Sequence, residues 1–219
     1  MPGTAAEWDE KHRRAEREAS QEVSPFVREL LPLLPAGPAL DLACGRGRHT
    51  LLLAERGQPV TAVDWSPVAV ELLGQSARAK GLRFERLPDG QVKIVPAKSG
   101  ILGICRDLRD ASLLEGAFAL VLCVHYLDRA LMLAMEKALR PGGMLLFETC
   151  TTAQLAFEGG PRNPAYLLEP GELRTSFPGL EIVFYRELRA GQGIASLLGR
   201  KPAKPNCELC GAGRNITAS

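Results

Sequence analysis

The segment Ala39-Leu-Asp-Leu-Ala-Cys-Gly-Arg-Gly-Arg48, followed by Pro59-Val-Thr-Ala-Val-Asp-Trp65, constrains this chain most. A short apolar run ends in a glycine turn, a helix-length segment follows, and a second apolar run ends in an acid. One βαβ unit satisfies all three, with strands over 39–43 and 59–63 and a helix over 47–56 that ends near Gly57. Gly45 and Gly47 fall where the first turn must bring backbone close to a ligand, a place where a Cβ would intrude.

The rest of the chain repeats this alternation. Residues 5–19 and 23–34 read as helices, the second with an apolar face and a start at Ser24-Pro25. Ser66-Pro67 supplies an N-cap followed by proline at the first helical position, opening a helix to about Lys80. Alternation on both sides of Pro88-Asp-Gly90 predicts a hairpin over about 82–100. Short strands are expected at 101–105, 144–147, 180–185 and 194–198. Phe118–Val124 is a continuous apolar run and reads as a central strand buried on both faces. Residues 128–139 read as an amphipathic helix stopped by Arg140-Pro-Gly-Gly143. A loop over 149–170 and a short helix over 169–177 complete the pattern. Strands alternating with helices predict an α/β fold with a doubly wound, mostly parallel sheet and helices on both faces.

Charge and composition exclude several functions. Lys and Arg number 27 against 25 Asp and Glu, so the balance gives no reason to expect a polyanion partner. The basic cluster Lys11-His-Arg-Arg14 is interleaved with acids and reads as a solvated helix face rather than a nucleic-acid patch. No apolar stretch approaches the roughly 20 residues of a membrane span, and the N-terminus lacks an apolar signal core. A cytoplasmic protein is expected, its oligomeric state left open. Cys207-Glu-Leu-Cys210 is one CxxC without a second pair or a nearby His, so no metal site is expected. Residues 203–219 carry too little apolar periodicity to pack and read as a mobile tail.

The pattern at the glycine turn selects among nucleotide cofactors. A dinucleotide site calls for a third glycine at position 50; here position 50 is Thr. Asp41, four residues before the first glycine, suits a cofactor bearing an ammonium group and repels one bearing phosphates. Asp64 at the end of strand two offers two acceptor oxygens to the two adjacent hydroxyls of a ribose. Trp65 is placed to pack beside an adenosine, or simply between helix and sheet.

The order of these motifs resembles the class I S-adenosylmethionine-dependent methyltransferases, and most closely the small-molecule group around the tellurite-resistance and thiopurine methyltransferases. The resemblance rests on Trp8-Asp-Glu10, Leu40–Arg48, Val60–Asp64, Asp107-Leu108, His125–Arg129, Leu139–Gly143, Leu146–Thr149 and Leu167–Leu173. It spans residues 8–202 and implies one methyltransferase domain over 1–202, with a helical N-terminal cover over 1–36. It implies S-adenosyl-L-methionine as cofactor and a Rossmann-like sheet of seven strands, the last antiparallel and formed by 194–198. By this likeness Asp41 faces the methionine amino group, and the Ala43–Gly47 backbone, including Ala43, Gly45 and Gly47, lines the methionine and ribose portion. Asp107 and Leu108 sit by the adenine; Cys123 and Val124 border the methionine end, with Tyr126 beside them. The segment between Gly81 and Asp107 is longer than the family's usual crossing.

Methyl transfer from a sulfonium needs alignment and desolvation more than acid–base help. His125, at the carboxyl end of the central strand, is the candidate base, since an imidazole titrates near neutral pH. Glu148, at the end of the next strand, is a candidate for orienting substrate. Arg162 and Asn163 belong either to a substrate lid or to a plain loop. His49 is expected at a partly exposed helix position. With no basic groove or aromatic platform in view, a small-molecule acceptor is expected. Two rivals stay open: a catalytically silent cofactor-binding or regulatory protein, and an NAD-linked oxidoreductase, against which Thr50 and Asp41 count.

Overall fold

A computed structural model describes residues 4–18, 22–87 and 93–203, with the backbone alone over 15–18. Helix α1 (Ala5–Glu18) and the short α2 (Pro25–Leu30), continued by a 3₁₀ turn at Leu31–Leu33, precede the first strand. The βαβ unit follows as β1 (Ala39–Leu42), α3 (Arg48–Glu55) and β2 (Val60–Asp64). Helix α4 (Pro67–Ala79) starts at Pro67, and the Ser66 hydroxyl accepts the Ala69 N–H at 3.0 Å as its N-cap. The chain then passes through β3 (Phe84–Arg86), β4 (Lys93–Ile94), β5 (Ile101–Cys105) and β6 (Ser112–Leu113) to the central strand β7 (Phe118–Val124). Helix α5 (Arg129–Ala138) is capped by Asp128, whose carboxylate accepts the Ala130 N–H at 3.0 Å. Strand β8 (Leu139–Cys150), helix α6 (Glu172–Thr175), and strands β9 (Glu181–Leu188) and β10 (Ile194–Arg200) complete the fold.

The main sheet orders its strands β3-β5-β2-β1-β7-β8-β10-β9, and only β10 runs against its neighbours. The sheet therefore has eight strands among the described residues rather than the expected seven. The additional strand is β3, which pairs parallel with β5 at the edge. Alternating side chains of the strands build two cores. Leu40, Leu42, Val121, Cys123, Leu145 and Phe147 face α5 and α6. Ala39, Val60, Ala62, Leu120, Leu122 and Leu146 face α2, α3 and α4. All seven residues of β7 are buried, as a strand covered on both faces must be.

The expected hairpin over 82–100 does not form. Strand β3 pairs with β5, while β4 pairs with β6 in a separate two-stranded sheet, and both pairings are parallel. The alternation was real, but each arm found a strand further along the chain. Residues 88–92, which contain Pro88-Asp-Gly90, lie outside the described residues. Strand β8 also begins earlier than expected. It takes in Arg140-Pro-Gly-Gly143 through a register shift against β7, from Phe118↔Leu139 to Leu120↔Met144. The loop over 149–170 contains 3₁₀ turns at Thr152–Ala156 and Pro164–Tyr166. The tail at 203–219, with Cys207 and Cys210, lies outside the described residues apart from Ala203. Among the described residues no group of side chains could hold a metal ion, and no helix is long and apolar enough to cross a membrane.

Candidate active site

β1 is flanked by β2 on one side and β7 on the other, so consecutive strands depart in opposite directions from this point of the sheet. A crevice outside the carboxyl ends of the strands is expected at such a switch point. A cavity of about 330 Å³ lies there. Its wall includes Ala43 and Gly45 after β1, Asp64 and Trp65 at the end of β2, and Asp107 and Leu108 after β5. Val124, His125 and Tyr126 close it at the end of β7. Nine of the residues singled out from sequence therefore meet around one space.

The turn after β1 is shaped for close approach. Gly45 and Gly47 have φ of 54° and 81°, in the left-handed region that favours glycine. A Cβ on Gly47 would collide with the Leu73 side chain of α4, so the turn also sets how closely α3 and α4 pack. Two non-glycine residues take the same region, Ala43 at 53° and His125 at 61°. They follow adjacent strands and both line the cavity, the kind of place where backbone strain of about 1–3 kcal/mol is held by its surroundings. The His125 amide donates to the Glu148 carbonyl at 2.7 Å, which fixes the bend.

Asp64 is buried, and each of its oxygens accepts one backbone N–H: Oδ2 from Gly45 at 2.7 Å and Oδ1 from Ser66 at 2.9 Å. A carboxylate oxygen has a further acceptor position, so both oxygens retain capacity toward the cavity. Burial pushes the Asp64 carboxyl above its ordinary value, against the pull of the Ser66 and Gly45 N–H groups and of His12. His12 arrives on α1, which is pinned to the N-terminus of α4 because the Asp9 carboxylate accepts the Ser66 hydroxyl. Burial lowers the His12 imidazole, while Asp64 draws it back up.

Asp107 forms an ion pair with Arg109 at 2.5 Å, and the Arg109 side-chain hydrogen bond holds its carboxyl below the usual range. The Arg109 guanidinium in turn lies 4.8 Å from the Trp65 ring centroid. Trp65 and Asp107 are thus linked at one end of the cavity.

Three predicted contacts stand behind the wall. Asp41 is 1% exposed, and its Oδ2 accepts the Thr50 hydroxyl at 2.6 Å. Burial raises its pKa to about 6. The residue that replaces the third glycine of a dinucleotide turn is therefore the partner of the acid below that turn. Gly47 is buried against Leu73. Cys123 is buried, with its thiol pushed up by desolvation and its Sγ 3.7 Å from the Tyr126 carbonyl. Glu148 does not reach the cofactor-sized cavity. It lines an adjoining recess of about 270 Å³, which shares Arg48 and His125 with the first.

Cys44 and Arg46 lie within the Ala43–Gly47 stretch expected along the ligand, whereas sequence reasoning missed Trp8, His12, Arg48 and His49 on the first cavity's wall. The signal for Arg48 was its place directly after the glycine turn. His49 is 4% exposed rather than partly exposed; its Nε2 accepts the Ser24 N–H at 3.2 Å, and burial lowers its pKa to about 3. Arg162 spends its guanidinium on the Leu155 and Phe157 carbonyls at 2.9 and 2.6 Å, and the Asn163 side chain accepts the Ala165 N–H at 3.0 Å. Neither residue lines the two cavities.

Comparison with known proteins agrees with this geometry. Residues 39–143 match the model of the family described as "Methyltransferase domain". Two solved S-adenosylmethionine-dependent methyltransferases, from Methanosarcina mazei and Mesorhizobium loti, share the fold, with TM-scores of 0.58 and 0.59 at 18% and 17% identity over 84% and 81% of this chain and 100% and 99% of theirs. Among relatives, the trans-aconitate 2-methyltransferase of Sinorhizobium fredii is 45% identical over 65 residues, covering 27% of this chain and 24% of the relative. The putative methyltransferase YqeM of Bacillus subtilis is 30% identical over 129 residues, covering 55% of this chain and 45% of the relative. The chain spans less than half the length of either. The crystal structure of TehB from Haemophilus influenzae shares the fold, with a TM-score of 0.63 and 18% identity over 88% of this chain and 67% of that one.

Proposed function

We propose that this chain transfers a methyl group from S-adenosylmethionine to a small-molecule acceptor in the cytoplasm, acting as one domain over 1–202 covered by its N-terminal helices. The observation that carries the reading is Asp64. It is a buried carboxylate with one backbone N–H on each oxygen and acceptor capacity left on both, beside a turn that places Gly45 on the same cavity. Those acceptor positions fit a ribose diol. Trp65, Leu108 and the Arg109-paired Asp107 supply a flat, partly apolar end suited to an adenine. Bound there, the cofactor supplies an activated methyl group on a sulfonium.

The chain's own residues bind, orient and exclude water. Ala43 and Val124 border the cavity at the ends of β1 and β7, in front of Asp41 and Cys123, whose strands they continue. His125 stands where this cavity and its neighbour meet. Its pKa is lowered first by burial and then by Arg48, so its imidazole is neutral at pH 7 and able to accept a proton. Tyr126, whose hydroxyl is pushed up by burial, stays protonated there and serves as a hydrogen-bond donor. The name of the Sinorhizobium relative, a methyltransferase acting on trans-aconitate, supports a small acceptor.

Calorimetric titration of the purified protein with S-adenosylhomocysteine and with NADH tests this reading. Binding of the first alone, with labelled methyl passing from S-adenosylmethionine to small metabolites of a cell extract, is the expected result. Binding of NADH alone would overturn it.

A further inference from the structure

The recess beside the cofactor cavity is built as a row across three strands. Glu148 on β8 lies opposite Ser196 on β10, and Ser196 lies opposite Arg186 on β9. Directly paired residues on antiparallel strands point to the same face, so the three side chains stand side by side. Glu148 is already satisfied: Oε1 accepts the Ser24 hydroxyl at 2.6 Å and Oε2 the Ser196 hydroxyl at 2.8 Å. Arg186 lies in the same wall, held by Glu29 at 3.2 Å and by the rings of Phe26 and Phe184 at 5.3 and 5.9 Å. Its Nε is buried without a partner. Arg48 enters from the first turn of α3, where one N–H reaches the Glu22 carbonyl at 3.2 Å. Among the described residues neither guanidinium pairs with Glu148, because the two serines hold both its oxygens.

We propose that this recess is the acceptor site and that it selects small organic acids, with Arg48 and Arg186 anchoring a carboxylate; the inference rests on the methyltransferase reading above. Two guanidiniums on one wall, each with terminal N–H groups beyond the one given to Glu22 or to Glu29, suit a planar anion with several acceptor positions. The two serines hold Glu148, which stays on the recess wall without a hydrogen bond to either arginine among the described residues. Charged side chains on the recess wall are Arg48, Arg186, Glu148 and Glu22. Arg48 and His125 belong to both walls, so an acid held in the recess borders the space assigned to the cofactor.

The test uses the full chain saturated with S-adenosylhomocysteine and titrated calorimetrically with aliphatic mono-, di- and tricarboxylic acids and with their amides. At least one acid should bind and its amide should not. Arg186→Gln should weaken that binding by about tenfold or more, as loss of a charge-assisted contact implies. The affinity for S-adenosylhomocysteine should stay unchanged, since Arg186 lines only the recess. Arg186→Lys, which keeps the charge and fills the site, should recover part of the loss and guards against misfolding in the glutamine variant. Turnover should follow the same order, with KM for the acid rising. Equal binding of acids and amides, or preference for thiols or amines with no response to either variant, would overturn the proposal while leaving the methyltransferase reading intact. Failure of S-adenosylhomocysteine to bind at all would overturn both.

Discussion

The two halves of the cleft are made in different ways. The half beneath β1, β2 and β5 is made of backbone and near neighbours in sequence: a glycine turn, an acid at the end of the next strand, and that acid bound to the turn's own N–H. The half beneath β8, β9 and β10 is made of side chains far apart in sequence. Ser24, Glu148, Ser196 and Arg186 come from four separate elements and meet only through sheet register. The backbone-built half tolerates little change at Gly47, where a Cβ would meet the Leu73 side chain. A site built from side chains on a rigid sheet leaves room for its specificity to change without disturbing the other half.

Substitutions should separate the halves. Gly47→Ala attacks the first most strongly. A Cβ there meets the Leu73 side chain at a φ of 81°, and overpacking with left-handed strain should cost about 3 kcal/mol in a denaturant melt. Cofactor affinity should fall with it.

Asp41 tests the acid beneath the same turn through pH. Its pKa is about 6 in the folded chain against an ordinary 3.8, burial being the main cause. Between those values the folded state holds more protons than the unfolded one, so this group makes the protein less stable as pH rises through the window. Asp41→Asn has no proton to lose and keeps an acceptor oxygen for the Thr50 hydroxyl. From below pH 4 to above pH 6, the stability of the wild type should fall relative to this variant by about 2–3 kcal/mol. Parallel stability–pH curves would show that Asp41 is not a desolvated acid.

Glu148→Ala addresses the second half. It strands the buried hydroxyls of Ser24 and Ser196 and should cost about 2 kcal/mol of stability. The affinity for S-adenosylhomocysteine should be unchanged, because Glu148 lines only the recess. A matching loss of cofactor affinity would mean that the two halves are one site.

The same division explains what could be read from the sequence. Alternating strands and helices, the Ser66-Pro67 helix start and the buried run at 118–124 were legible because each depends on residues adjacent in the chain. Gly45, Asp64 and Trp65 were singled out for the same reason, and Asp107 and Leu108 through the family resemblance; all five line the first cavity. The hairpin over 82–100 was misread because period-two alternation marks a strand without naming its partner, and β3 and β4 took β5 and β6. Ser24 looked like a helix cap, yet its hydroxyl donates to Glu148, 124 residues away. Trp8 and His12 were hidden in a charged helix whose docking depends on Asp9 reaching Ser66. No local pattern encodes such a contact.

In the proposed function, the acid at the end of β2 holds the cofactor's ribose. Isothermal titration of wild type and Asp64→Ala with S-adenosylhomocysteine tests it most directly. The wild type should bind and the variant should lose at least about 2 kcal/mol, a drop of more than tenfold for a lost charged hydrogen-bond partner. Equal affinity in the two proteins would contradict it.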